Sequence, residues 1–315
     1  MDNMPEGTVL SQYTPGFRAN LQMAPQQTDT RLGFAVEADF NAAGPGTHFN
    51  ADDVLPTDPE DDDTRVPDTP DKFPEFGRRV GWYKGFRDSA WLDTVDKLNS
   101  ITDPTSPIMA SLTAGRWRKA DDNIMNGMLG VAYESAGPEE PPTVVAFDTA
   151  NYQLPADYKA RQHQDEEVPA SGAFGMSIGK MIQAQKILDE SDLEGERFTA
   201  FSPSCVADLL ERTPTTSRYY GSVQALVEGK VDTLLGFKII RVPTKRFLLQ
   251  SGQTDIIRVP FWIKPAVIHK AQTITQARVA IRHDKSDTPQ AFYRSRHATS
   301  RRYDVGVVDV LAKIV

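Results

Sequence analysis

The chain has 315 residues, 39% of them hydrophobic, and a formal net charge of -8; that length allows one large or two ordinary domains with cores of their own. The acidic balance argues against a protein whose main task is gripping nucleic-acid phosphates, since such affinity comes from clustered Lys and Arg. The start Met1-Asp2-Asn3-Met4-Pro5-Glu6 lacks the basic and apolar run of a secretory signal, no membrane-length apolar stretch follows, and the lone Cys205 excludes a disulfide framework or a cysteine-based zinc cluster.

Residues 1–40 carry scattered apolar positions (Val9, Leu10, Tyr13, Phe17, Leu21, Met23) interrupted by Pro5, Pro15, Gly16 and Pro25. No helical or strand period survives, so the segment reads as an extended arm that needs a surface, the chain's own or another subunit's, to order it. Residues 51–71 hold nine acidic residues, one basic residue (Arg65) and four prolines. Two readings fit: a disordered acidic linker, or a long hairpin-like excursion with an acidic tip, because Arg78 to Phe86 mixes aromatic and basic residues as a strand does.

Asp103-Pro104 and Ser106-Pro107 each pair a helix N-cap with proline at the first helical position, and no further proline comes before Pro138. The spacing predicts one long helix over 107–134, with Trp117, Ala120, Ile124, Met128 and Val131 on one face. Gly115, Gly127 and Gly130 each weaken it by about 1 kcal/mol relative to alanine, which implies close packing or a bend. A second helix is predicted at 177–189, a strand at 197–201, and a short helix opened by Ser202-Pro203 that carries Val206, Leu209 and Leu210. After the polar loop 213–217 come a helical turn at 223–227, the strand 236–242 and a mostly β remainder ending at 305–315. The fold class is α+β.

One motif resembles catalytic machinery. Gly175-Met176-Ser177-Ile178-Gly179 fits the G-x-S-x-G pattern of a nucleophile elbow. An elbow needs a buried strand before its serine, whereas the polar run 165–172 precedes this one; Ser177 is expected to be a helix N-cap. Gly179-Lys180-Met181 lacks the spacing and hydroxyl of a phosphate-binding loop. The histidines His48, His163, His269, His283 and His297 show no chelating spacing, and Asp61-Asp62-Asp63 sits among prolines without the glycine of a calcium loop. No catalytic, cofactor or metal site is expected. Between 278 and 302 the charge reverses to basic, and in two presumed strands Arg278 and Arg282 share a parity, as do Arg294 and Arg296. Two readings fit: a plain solvent face, or a face that meets an acidic partner, either carboxylates of another copy, with Asp61, Asp62 and Asp63 as candidates, or DNA.

Taken together, Arg78-Arg79-Val80, the Asp103 to Pro107 helix start, Gly115-Arg116, Asp121-Asp122, Gly130-Val131-Ala132, the 178–189 helix, Phe201-Ser202-Pro203, Ser222 to Gly229 and Leu235-Gly236-Phe237 resemble the major capsid proteins of tailed bacteriophages with the Hong Kong 97 capsid fold. The likeness runs through nearly the whole chain and lies in the order and spacing of these pieces. It implies an N-terminal arm (1–40), an extended β loop (41–86), a peripheral domain with a long spine helix at about 104–134 (87–144), an axial domain (145–265), a β pair returning to the peripheral domain (266–304) and a C-terminal strand of the axial domain (305–315). It further implies a structural protein rather than an enzyme, assembled in the host cytoplasm into pentamers and hexamers of an icosahedral virion shell around double-stranded DNA. Its implied partners are itself, a portal protein, a decoration or cement protein and, since no cleavable scaffold segment precedes the arm, a separate scaffolding protein; no membrane is involved. The rival readings are a hydrolase using Ser177 and a phage-associated binding or decoration protein.

Overall fold

The computed structural model describes residues 27–42, 46–54, 57, 73, 75–91, 105–135, 141–159, 172–214, 217, 219–285 and 287–314. In chain order the first strands are β1 (Glu37–Asp39), β2 (His48–Val54), β3 (Phe76–Trp82), β4 (Lys84–Trp91), β5 (Ala132–Glu134), β6 (Thr143–Val145) and β7 (Gln153–Leu154). Then follow β8 (Arg197–Phe201), β9 (Thr233–Leu234), β10 (Phe237–Arg241), β11 (Ile256–Ile263), β12 (Val267–Arg282), β13 (Thr288–Arg301) and β14 (Val307–Lys313). The helices are α1 (Thr105–Leu129), α2 (Thr149–Tyr152), α3 (Ile178–Asp189), α4 (Pro203–Arg212) and α5 (Tyr220–Val227). The described residues fall into two compact units, a smaller one drawn from 27–29, 86–117 and 274–295, and a larger one drawn from 30–85, 118–273 and 296–314.

The larger unit is built on a six-stranded sheet of order β7-β14-β11-β8-β10-β9. Its central strands β8, β11 and β14 are buried along almost their whole length, which requires apolar runs rather than alternation. The helices α3 and α4 pack on this sheet, α3 against β14 and β11 and α4 against β8. Both begin as their sequences dictate: the Ser177 hydroxyl accepts from the Lys180 amide, and Ser202 accepts from Cys205 with Pro203 opening the helix. Cys205 is buried, as expected. A second sheet, of order β2-β3-β5-β6, is antiparallel throughout. Of the two readings of 41–86, the β2–β3 pairing favours the excursion; the acidic tip, with Asp61, Asp62 and Asp63, lies outside the described residues.

The described part of the expected arm is ordered by the chain's own surface: Leu32, Ala35 and Val36 sit in the main core, and the Trp262 indole donates to the Ala35 carbonyl at 2.8 Å. The sequence hid this because the three apolar residues share one short 3-10 turn at Gly33–Ala35, too brief for a period to register. Residues 1–26 lie outside the described residues. The long helix also stops at Leu129 instead of 134, since strand pairing begins at Ala132, and Val131, expected on its buried face, is 51% exposed.

The helix runs through both units, dividing after Trp117. At about 1.5 Å per residue it is roughly 37 Å long. Its C-terminal part belongs to the larger unit, where Ile124, Met125, Met128 and Leu129 join the main core. In the smaller unit Leu112 packs with Ala291 and Tyr293 of β13 and with Ala90 of β4. In the larger, Gly127 explains itself: a Cβ there would lie 2.4 Å from the Cβ of Thr299, so only glycine lets β13 come this close.

That contact carries a buried polar relay. The Thr299 hydroxyl donates to Asn123 Oδ1 at 2.7 Å, so His269 Nδ1, 2.7 Å from the same hydroxyl, carries its proton and donates to it. His297 approaches His269 Nε2 at 3.4 Å. Burial, and secondarily His297, hold the His269 imidazole down to about 3. Between that value and the ordinary 6.5 of an unfolded histidine, the unfolded chain binds the extra proton. Stability is therefore present above pH 6.5 and is lost as pH falls toward 3, by up to about 1.4 kcal/mol per pH unit from this group. Urea unfolding at pH 7, 5.5 and 4.5 should show this loss, and His269→Gln should flatten it; an unchanged slope in the variant would assign the acid sensitivity to other groups.

Candidate functional site

Ser177 is 1% exposed, follows residues 172–176, which form no strand, and serves as a cap, so it has none of the geometry of a nucleophile. The lysine beside it is structural. Lys180 Nζ lies 2.8 Å from the Ala156 carbonyl, 2.9 Å from those of Phe174 and Gly175, and 3.0 Å from that of Leu311. The Phe174 ring covers it at 4.0 Å. Burial pulls the ammonium down to about 7, with Arg212 lowering it too and Cys205, Asp208 and Asp157 opposing. All four oxygens are acceptors, so the protonated amine is the form this cage suits.

The basic segment divides by strand parity. Along β13, Ala291, Tyr293, Ser295 and His297 are buried, whereas Arg294 is exposed and Arg296 half-buried. Arg278 and Arg282 on β12 are exposed. Arg278, Arg294 and Arg296 make no ion pair among the described residues, while Arg282 grips Asp284 of its own hairpin with a two-pronged fork at 2.6 and 2.7 Å and stands over Trp91. That fork holds the Asp284 carboxyl down to about 2. Arg282 is thus partly satisfied at home, which leaves Arg278, Arg294 and Arg296 as the outward-looking charges.

Arg301 and Arg302 belong elsewhere. Arg301 is fully buried, donates to the carbonyls of Met128 (3.0 Å) and Gly130 (2.8 Å) at the end of α1, and pairs with Asp304 at 2.5 Å. Arg302 forks onto Asp53 of β2 and reaches Glu37 at 2.8 Å. Arg79 of β3 takes the other oxygen of Asp304 at 2.7 Å. A sequence signal for Arg301 existed in its odd parity, shared with the buried residues of β13; nothing in the sequence announced Asp53, Arg79 or Asp304 as its circle.

No described helix is long and apolar enough to cross a membrane, and no described group of His, Cys, Asp and Glu is placed to hold a metal ion. What the chain offers is surface: an exposed arginine face, and an excursion that shows Val54, Phe76 and Trp82 to solvent. The model of a phage capsid protein family matches residues 9–313. The chain belongs to that phage capsid protein family.

Solved structures agree on the fold of this capsid protein. The capsid protein of Ralstonia phage GP4 is 12% identical with a TM-score of 0.67, covering 96% of each chain. That of cyanophage P-SCSP1u is 13% identical with a TM-score of 0.66 over 100% of both chains. The acid-stable capsid of Helicobacter pylori bacteriophage KHP30 gives 10% identity and a TM-score of 0.64 over 100% of this chain and 98% of that one. Comparison with curated proteins returned no match. The architecture is the Hong Kong 97-type capsid fold, and the protein is a structural component of a virion shell, not an enzyme.

Proposed function

We propose that this protein is the major shell subunit, self-assembling in the host cytoplasm into pentamers and hexamers of an icosahedral head that encloses double-stranded DNA. The observation that carries the reading is the capsid family match over 9–313 joined to a fold with a long excursion and exposed arginines, of which Arg278, Arg294 and Arg296 make no ion pair among the described residues. In this reading 145–265 with 305–315 form the axial domain, 87–144 with 266–304 the peripheral domain, and 41–86 the extended loop. A scaffolding protein, a portal and a decoration or cement protein complete the assembly.

Arg278, Arg294 and Arg296, with Arg282 in a lesser role, meet carboxylates of neighbouring copies, Asp61, Asp62 and Asp63 among them, with packaged DNA a secondary partner. Each exposed pair contributes only about 0.2 to 1 kcal/mol, but the contacts repeat in every copy. Arg294→Glu with Arg296→Glu should block shell formation before DNA enters, as read by sedimentation, and Asp61, Asp62 and Asp63 changed to lysine should restore part of it. Normal empty shells that fail only at packaging would identify DNA as the partner instead.

A further inference from the structure

Residues 301–304 form one turn that grips both strands of the β2–β3 hairpin. Arg302 holds β2 through the fork onto Asp53, with Glu37 on its other nitrogen at 2.8 Å. Asp304 holds β3 through Arg79 at 2.7 Å, and its second oxygen takes Arg301 at 2.5 Å. Arg301 in turn is fastened to the Met128 and Gly130 carbonyls at the end of α1. One carboxylate, Asp304, is therefore the joint between the helix end and the hairpin.

Apart from this turn, β3 is held edge-on by its pairing with β5, Arg79 opposite Glu134 and Val80 opposite Tyr133, with the Ser135 amide donating to the Arg78 carbonyl. The hairpin's apolar attachment is the small cluster of Phe49 and Ala51 with Ile268 and Ala298, and Tyr83 packed at its margin. Toward the far end Val54 and Phe76 stand opposite one another across the strands, 63% and 74% exposed. The grip is also incompletely satisfied: Nη1 of Arg79 and Nη2 of Arg301 are buried with no partner among the described residues, two guanidinium groups sharing one carboxylate. Unpaired buried donors subtract from what such a network contributes, so the contact is one that can open without dismantling the main core.

We propose that the 301–304 turn is an ionic latch that sets the angle of the β2–β3 hairpin and couples that angle to the end of α1. With the latch closed, the hairpin leaves the body in one direction. With Asp304 neutralised, the β3–β5 pairing and the small apolar contact remain, and the hairpin tilts as a unit about the edge it shares with β5. The consequence for assembly rests on the shell reading above, since the hairpin is the extended loop of that reading; the latch itself is a property of the free subunit and is tested there.

The test places nitroxides at Glu75→Cys, on the hairpin side, and Lys186→Cys, on the exposed face of α3, in the full chain kept as free subunits. Cys205 stays unlabelled because it is buried and its thiol is pushed up to about 11. Pulsed dipolar spectroscopy should give a narrow distance distribution in the parent and a broadened or shifted one in both Asp304→Asn and Arg79→Met, while amide exchange in β11 and β14 stays unchanged. Arg79→Met leaves Arg301 with its helix-end and Asp304 contacts, so it decides the matter if Asp304→Asn does not fold. Parent-like distributions in Arg79→Met would overturn the latch, whatever the shells do; shells that fail with the latch intact would instead count against the shell reading.

Discussion

Replacing Lys180 with methionine is expected to destabilise the protein by about 3 kcal/mol or more, because four buried carbonyls lose their shared donor at once. The carbonyls belong to Ala156, to Phe174 and Gly175, and to Leu311 in the C-terminal strand, so one ammonium ties three separate stretches of chain together. Methionine has a similar reach and no donor, which isolates the electrostatic loss from a packing loss. Arginine should not rescue the site: a planar fork cannot place its donors on a compact cage built around a point charge. A thermal melt should show the midpoint fall by about 5 °C or more. A methionine variant as stable as the parent would mean that the Phe174 and Lys313 amides, already bonded to the Ala156 and Phe174 carbonyls, suffice there and that the other two carbonyls find new partners.

The second large effect is expected at Asp121. Its carboxylate, 1% exposed, accepts from the Thr30 hydroxyl at 2.6 Å, the Arg31 amide at 3.1 Å and the Leu32 amide at 3.2 Å, pinning 30–36 onto the main core. Asp121→Ala removes a charged acceptor and orphans two backbone donors, at a cost of about 2 to 3 kcal/mol. Because the loss is local, hydrogen exchange should speed up roughly thirty- to hundredfold at Arg31 and Leu32 while β11 and β14 stay protected. Asp121→Asn keeps a neutral acceptor and should lose less. Uniform acceleration across the core would show that Asp121 supports the whole fold and not this segment alone.

These two residues also mark where sequence reasoning reached and where it stopped. Local chemistry was readable: the Ser177 and Ser202 caps, the proline at the start of α4 and the existence of α1 all follow from neighbours in sequence, whereas the choice between close packing and a bend at Gly127 waited on Thr299. The alternation in β13 placed Arg294 on its outer face correctly. Buried charges were not readable, because their partners are remote: Leu311 lies 131 residues from Lys180, and Arg302 lies 249 residues from Asp53. Without those partners Arg301 and Arg302 looked like two more members of a basic patch, and Asp53 like part of an acidic run. The attachment of 30–36 was unreadable for a related reason. Leu32, Ala35 and Val36 acquire their meaning only when Asp121 and Trp262 arrive from elsewhere in the chain.

The reading as a shell subunit is tested most directly by electron microscopy of the full chain expressed with its scaffolding protein. The account predicts closed particles of uniform diameter whose facets resolve into sixfold clusters with fivefold clusters at the vertices. Discrete small oligomers, or monomers under conditions where the scaffolding protein itself assembles, would contradict it.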